Sequence, residues 1–281
     1  MQLALRDHIV EPSDWPVVMG VLNVTPDSFS DGGRFESRGD AVTAAMVMIA
    51  DGAAIVDVGP ESTRPGSSSV SDDEQIRRAI PVIERIRSQD AAMTISIDTT
   101  SAKVARAAID GGADMINDTS ALRDDPAMAE VAISSRALLC LMHRRGMPAD
   151  MQRGGGPAYA DVIAEILAFL KERVELAVKA GIARERIVID PGIGFGKRTR
   201  DNLAIMKNIN RFVEMGHPVL IGASRKRFIG EALDVDDPCD REAGSLTCAV
   251  HAAQAGAAVV RVHDVGATVK AIRLHKAIVG D

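Results

Sequence analysis

The sequence predicts a single-domain α/β fold, a (β/α)8 TIM barrel. Three observations carry that expectation. The chain has 281 residues, and such barrels typically take about 250. Eight short runs rich in β-branched and apolar residues alternate with longer alanine-rich stretches. The runs are continuously apolar rather than alternating, which marks strands buried on both faces and hence a parallel sheet. Eight such βα units favour a closed barrel over the alternative, an open doubly wound sheet.

The candidate strands are VVMGVLN (17–23), AAIVDVG (53–59), MTISID (93–98), DMIND (114–118), ALLCLMH (137–143), RIVIDPG (186–192), PVLIGAS (218–224) and AVVRVHD (258–264). Amphipathic helices are expected over stretches such as 39–51, 101–111, 160–180 and 241–255. Several end in a glycine just before the next strand, as in DGAAIV and AGIARERIVI. Glycine there is the left-handed helix stop. No linker or low-complexity tract divides the chain. The barrel is expected over 17–281, with segment 1–16 forming a short hairpin across its bottom.

Composition excludes several functions. The apolar fraction is 46% and the formal net charge −6, which argues against broad nucleic-acid binding. No apolar stretch reaches the ~18 residues of a membrane span. The start, MQLALRDHIVEPSDW, is broken by charges and proline and does not read as a signal peptide. Cys140, Cys239 and Cys248 form no C-x-x-C pair. They read as reduced thiols of a cytoplasmic protein.

In a TIM barrel the active site lies at the C-terminal ends of the strands. Here every strand delivers polar groups there. They are Asn23; Glu61, Ser62, Thr63 and Arg64; Asp98; Asn117 and Asp118; His143; Asp190; Ser224, Arg225 and Lys226; and Arg261, His263 and Asp264. One such carboxylate is commonly a cap, and Asp118 fits that role. A polar group at all eight ends implies a functional ring. The ring contains no catalytic cysteine, no Ser-His-Asp motif and no histidine cluster for zinc. Arg64, Arg225, Lys226 and Arg261 suggest an anionic substrate group, although Arg225 and Lys226 also read as a solvated basic turn. Asp98, Asn117 and Asp190 suit a flat heterocycle with several N–H donors, since a carboxylate accepts two parallel hydrogen bonds. In DPGIGFGK (190–197) the glycines after Asp190 let backbone approach a ring closely.

GVLNVTPDSFSDGG (20–33), ESTRPG (61–66), DPGIGFGK, SRKRFIG (224–230) and RVHDV (261–265) together resemble the dihydropteroate synthase family. SIDT (96–99) and INDTSAL (116–122) match more loosely. The matches run in order over nearly the whole chain. The resemblance implies a pterin-binding TIM barrel that joins 6-hydroxymethyl-7,8-dihydropterin diphosphate to 4-aminobenzoate. Pyrophosphate leaves, magnesium assists and sulfonamides compete with the aminobenzoate.

The resemblance also implies roles. Asp190 holds the amino-pyrimidine edge of the pterin, Asn117 and Asp98 other ring nitrogens, and Lys226 the opposite edge. Met142 packs the pocket, and Arg261 lies against the ring face. Asn23 holds Mg2+ with the diphosphate, whose oxygens fall to Thr63, Arg64, Arg261 and His263. Phe29 and Asp31 close over the second substrate on one loop, with Arg64 and Pro65 on another. Phe195 and Ser224 contact the aminobenzoate. Asp98, Lys226, Arg261 and His263 form the catalytic set.

Three positions depart from the family pattern. Pro60 stands where glycine is usual, Thr119 where isoleucine is usual, and Ile193 where phenylalanine is common. The alternative functions are a pterin-dependent methyltransferase, which needs no diphosphate site, and a catalytically silent pterin-binding paralogue, which should have lost pocket residues. The expected partners are small-molecule substrates and a second copy of the chain, a homodimer, with no nucleic acid and no membrane.

Overall fold

The computed structural model describes residues 2–25, 36–61, 70–146, 151 and 158–280. Eight parallel strands form its core: β3 (Val17–Asn23), β4 (Ile55–Gly59), β5 (Thr94–Asp98), β6 (Met115–Asp118), β7 (Leu138–Met142), β8 (Ile187–Asp190), β9 (Leu220–Ile221) and β10 (Val259–Val262). The sheet order is β8-β7-β6-β5-β4-β3-β10-β9. A parallel bridge from Ile189 to Val219 joins the two ends, with the Ile189 N–H donating to Pro218 O at 2.9 Å. The sheet is therefore a barrel, as the sequence predicts.

The expected seventh strand, 218–224, is shorter than its apolar run. Its ladder with β10 covers only Leu220 and Ile221, because Gly222 to Ser224 already belong to the connection that carries polar groups to the rim.

Each strand has two faces, and the side-chain period of two sorts them. Val56, Val58, Ile95, Ile97, Ile116, Leu139, Leu141, Ile187, Ile189 and Val260 pack outward into the layer shared with the helices. Met19, Ile55, Met115, Leu138, Cys140, Val188, Leu220 and Val259 fill the barrel interior. A buried side chain of this kind contributes about 1.5–3 kcal/mol, so the lower barrel is a packed core rather than a channel.

Two further strands, β1 (Leu3–Ala4) and β2 (Ile9–Val10), form an antiparallel hairpin. Leu3, Leu5 and Val10 join the interior cluster. Arg6 fixes the hairpin to the barrel by pairing with Asp114 at 2.6 Å.

The helices lie between strands: α1 (Glu36–Ala50), α2 (Asp72–Gln89), α3 (Ala102–Asp110), α4 (Met128–Ser135), α5 (Val162–Ala180), α6 (Thr199–Lys207), α7 (Ile209–Val213), α8 (Arg227–Leu233), α9 (Glu242–Gln254) and α10 (Val265–Val279). α5 shows why such stretches are helical. Asp161 accepts the N–H groups of Ile163 and Ala164 at its start, and Gly181 ends it with φ of 110°. No helix among the described residues is long and apolar enough to cross a membrane.

Candidate active site

The period that packs the lower barrel also builds the site. Two residues beyond an apolar interior position, the same face turns polar. Ile55 is followed by Asp57, Met115 by Asn117, Val188 by Asp190 and Val259 by Arg261. On β5 the face runs from Ser96 to Asp98. The ladder sets Asp98 beside Asn117, and Asp190 beside Met142. All of these residues except Arg261 are buried.

Arg261 ties the mouth together. Its Nε donates to Asp57 Oδ2 at 2.6 Å and its Nη2 to Asp98 Oδ2 at 3.0 Å. Asn117 Nδ2 donates to the same Asp57 oxygen at 3.1 Å. Three buried atoms here have no hydrogen-bond partner among the described residues: Asp57 Oδ1, Asp98 Oδ1 and Asn117 Oδ1. Buried polar atoms are nearly always satisfied, so a cluster of unmatched acceptors indicates a donor-bearing ligand. Burial pushes the Asp98 carboxyl up to about 7, with Arg261 opposing and Asp57 adding to the rise.

Asp190 ends β8 at the opening of the glycine loop. Its Oδ1 accepts the Gly192 N–H at 2.6 Å. Burial raises this carboxyl to about 6, against the Gly192 N–H and the cations of Lys197, Lys226 and Arg261. Gly192 has φ of 69°, and a Cβ there would lie 1.9 Å from His143 O. No other residue fits, so the glycine serves the contact between loop and strand as well as ring access. Lys197 is 2% exposed. Its ammonium lies 2.9 Å from His143 Nδ1 and donates to Gly192 O at 2.7 Å and Phe195 O at 3.1 Å.

At the rim, Lys226 Nζ stands 4.3 Å above the centre of the Phe195 ring, a cation–π contact. Met142, Met151 and Phe195 form a small apolar cluster of their own. Ser224 Oγ lies 3.0 Å from His263 Nδ1 and accepts the His263 backbone N–H at 3.3 Å. Burial, then Arg261, Arg225 and Lys226, hold His263 down at about 3, a neutral imidazole.

The structure thus brings together Asp98, Asn117, Met142, Asp190, Phe195, Ser224, Lys226, Arg261 and His263, around one mouth. Asn23 lies at the C-terminal end of β3, opposite Gly59. Thr63, Arg64, Pro65, Phe29 and Asp31 lie outside the described residues.

Other sequence expectations change. Arg225 reads as a candidate anion-binding cation, yet its guanidinium pairs with Asp264 at 2.7 Å. Asp118 caps a turn rather than a helix, accepting from Ser120 and Leu122 N–H groups at 2.8 and 2.6 Å. His143 is structural. It packs edge-on against Phe169 at 4.8 Å and is held down at about 2 by burial and then by Lys197. Ile193, one of the three departures, is 1% exposed and part of the core.

Two important residues escape the reading by strand ends. Asp57 lies inside its strand, and its only signal is a charge within an apolar run, IVDVG. Lys197 is visible in the glycine motif, but nothing in the sequence marks it as buried. Among the described residues, three carboxyls (Asp57, Asp98, Asp190) meet three cations (Lys197, Lys226, Arg261) in and beneath this mouth.

Comparison with known proteins agrees with this geometry. The family described as pterin binding enzyme matches residues 19–263. The dihydropteroate synthase of Escherichia coli (strain K12) is 46% identical over 262 residues, covering 93% of this chain and 91% of that protein. The structure of Yersinia pestis dihydropteroate synthase with a sulfonamide drug complex aligns with a TM-score of 0.92 at 39% identity, covering 100% of both chains. The Xanthomonas albilineans enzyme in complex with 7,8-dihydropteroate aligns with a TM-score of 0.89 at 42% identity, again over 100% of both. The chain belongs to the dihydropteroate synthase family of pterin-binding enzymes.

Proposed function

We propose that this mouth joins 6-hydroxymethyl-7,8-dihydropterin diphosphate to 4-aminobenzoate, releasing pyrophosphate and 7,8-dihydropteroate. The observation that carries the reading is the set of unmatched acceptors, Asp98 Oδ1 and Asn117 Oδ1, beside the buried Asp190. A dihydropterin edge presents N–H donors in one plane, which is what those oxygens lack. Each bond to a charged acceptor contributes about 1.5–3 kcal/mol.

Asp190 takes the amino-pyrimidine edge, Asn117 and Asp98 further ring nitrogens, and Lys226 the far edge, with Met142 against the ring. Arg261 serves ring and diphosphate together. The diphosphate oxygens fall to Thr63, Arg64, Arg261 and His263. Phe195 and Ser224 border the aminobenzoate, to whose side Phe29, Asp31 and Pro65 are also assigned.

In the reaction, the bond from the methylene carbon to the diphosphate oxygen breaks, with both electrons going to the leaving group. Cations of the site stabilise that developing charge. The electron-rich dihydropterin delocalises the carbocation left behind, and Asp98 stabilises it. The aniline nitrogen then donates its lone pair to form the C–N bond and releases a proton to water. An aniline bonded to a cation is acidic, so no strong base is required.

Magnesium fits the donor set. Among the described residues, no three histidine, cysteine or acidic side chains cluster to hold a metal. A hard cation that keeps water and substrate phosphate as most of its ligands needs only an amide oxygen such as that of Asn23. Bound there, it would neutralise the leaving diphosphate. The three free cysteines fit a reducing, cytoplasmic setting, and the family resemblance supports a homodimer.

The test is to mix the protein with dihydropterin diphosphate, magnesium and 4-aminobenzoate. Pyrophosphate and dihydropteroate should appear in equal amounts, with sulfonamide suppressing dihydropteroate. Pterin binding without product would instead make the chain a silent paralogue.

A further inference from the structure

Lys197 is not among the proposed substrate contacts, yet its ammonium is buried and closely bound. Its ammonium approaches His143 Nδ1 at 2.9 Å, His143 O at 3.2 Å, Gly192 O at 2.7 Å and Phe195 O at 3.1 Å. Burying an ammonium is costly, so a solvated lysine would be the cheaper choice if only packing were needed.

The contacts converge on one peptide. Gly192 N–H holds Asp190 Oδ1 at 2.6 Å, and Gly192 O receives both Lys197 and the Phe195 N–H, the latter at 3.1 Å. The same ammonium therefore secures the loop at Asp190 and at Phe195, whose ring carries Lys226.

We propose that Lys197 is a positioning residue for pterin recognition: by clamping the Gly192 peptide and the Phe195 carbonyl it orients the Asp190 carboxylate toward the ring and keeps it ionised. This rests on the assignment of Asp190 to the pterin edge. Lys197 opposes the rise that burial imposes on Asp190, while burial draws Lys197 down to about 7. The other groups facing this pair are His143 after β7, Asp201 on α6, Lys226 after β9, Arg261 on β10 and the Cys140 thiol on β7.

The test titrates 6-hydroxymethylpterin against the protein between pH 5 and pH 9 by calorimetry. Wild-type affinity should fall in two steps as pH drops, first through about 7, where Asp98 protonates, and then, in a lower limb, through about 6, where Asp190 protonates. Lys197→Met should weaken binding tenfold or more at pH 6, where Lys197 carries its charge, and move the lower limb up by about one pH unit. A lower limb that stays in place overturns the proposal, even if binding is uniformly weaker, because that is loss of packing alone. Asp190→Asn separates the two layers: it should abolish the lower limb and leave that of Asp98, and wild-type binding with both limbs intact would instead overturn the Asp190 assignment. Should Lys197→Met not fold, Lys197→Gln serves, since it also removes the charge. If neither folds, the 15N resonance of the wild-type Lys197 ammonium should shift on pterin binding, and one that does not move overturns the proposal.

Discussion

Asp57→Asn is the substitution that most sharply tests how the mouth is held. Asp57 is fully buried, and asparagine has nearly its volume, so packing changes little. What disappears is the charge facing Arg261 Nε at 2.6 Å. Asn117 also loses a charged acceptor at 3.1 Å.

The cost depends on pH through Asp98. Its carboxyl is raised from 3.8 to about 7. It therefore favours the fold fully below about pH 4, and that contribution is lost as pH rises to about 7. At pH 5.5 Asp98 is largely protonated, so Asp57→Asn leaves the partly exposed Arg261 without an anionic partner on either strand. Breaking a buried pair in this way costs about 3–5 kcal/mol.

Removing the negative charge of Asp57 also lets the pKa of Asp98 fall. The penalty at pH 8 should then be smaller by about 1.4 kcal/mol for each unit of that fall. Urea denaturation at the two pH values reads both quantities. A loss below about 1 kcal/mol at pH 5.5, or a penalty that grows with pH, would refute the role given to Asp57.

Three further outcomes follow from the same site. Arg261→Ala should weaken pterin binding and lower kcat together, and calorimetry paired with steady-state rates would show normal turnover if the dual role is wrong. Breaking the carbon–oxygen bond ahead of attack predicts a large secondary isotope effect with deuterium on the methylene, while a value near unity indicates concerted displacement. Cys239 is exposed, whereas Cys140 is buried with its thiol pushed well above the ordinary range by burial and nearby carboxylates. A thiol reagent on the native protein should therefore modify Cys239 quickly and leave Cys140 untouched, as mass spectrometry of digests would report.

Much of the fold was legible because a buried parallel strand leaves a simple trace. The runs at 17–23 and 93–98 reappear as β3 and β5 with their ends shifted by at most one residue. The run at 218–224 does not, because apolar character marks burial rather than ladder pairing. The site was legible wherever a polar residue followed the last apolar one, as at Asp98, Asn117 and Asp190.

It was illegible where the meaning depended on a distant partner. Asp57 becomes part of the mouth through Arg261 and Asn117, 204 and 60 residues away in sequence. Arg225 resembles an anion-binding cation until Asp264, 39 residues on, occupies it. Burial of Lys197 follows from the fold of the glycine loop against His143, which no local pattern encodes.

The most direct test of the account is a crystal structure of this chain with 6-hydroxymethylpterin. The ring should lie among Asp98, Asn117 and Asp190, with Asp98 Oδ1 and Asn117 Oδ1 each accepting one of its N–H groups and the amino-pyrimidine edge on Asp190. A ring bound elsewhere, or one that leaves those two oxygens without a donor, would contradict the claim that they form the pterin seat.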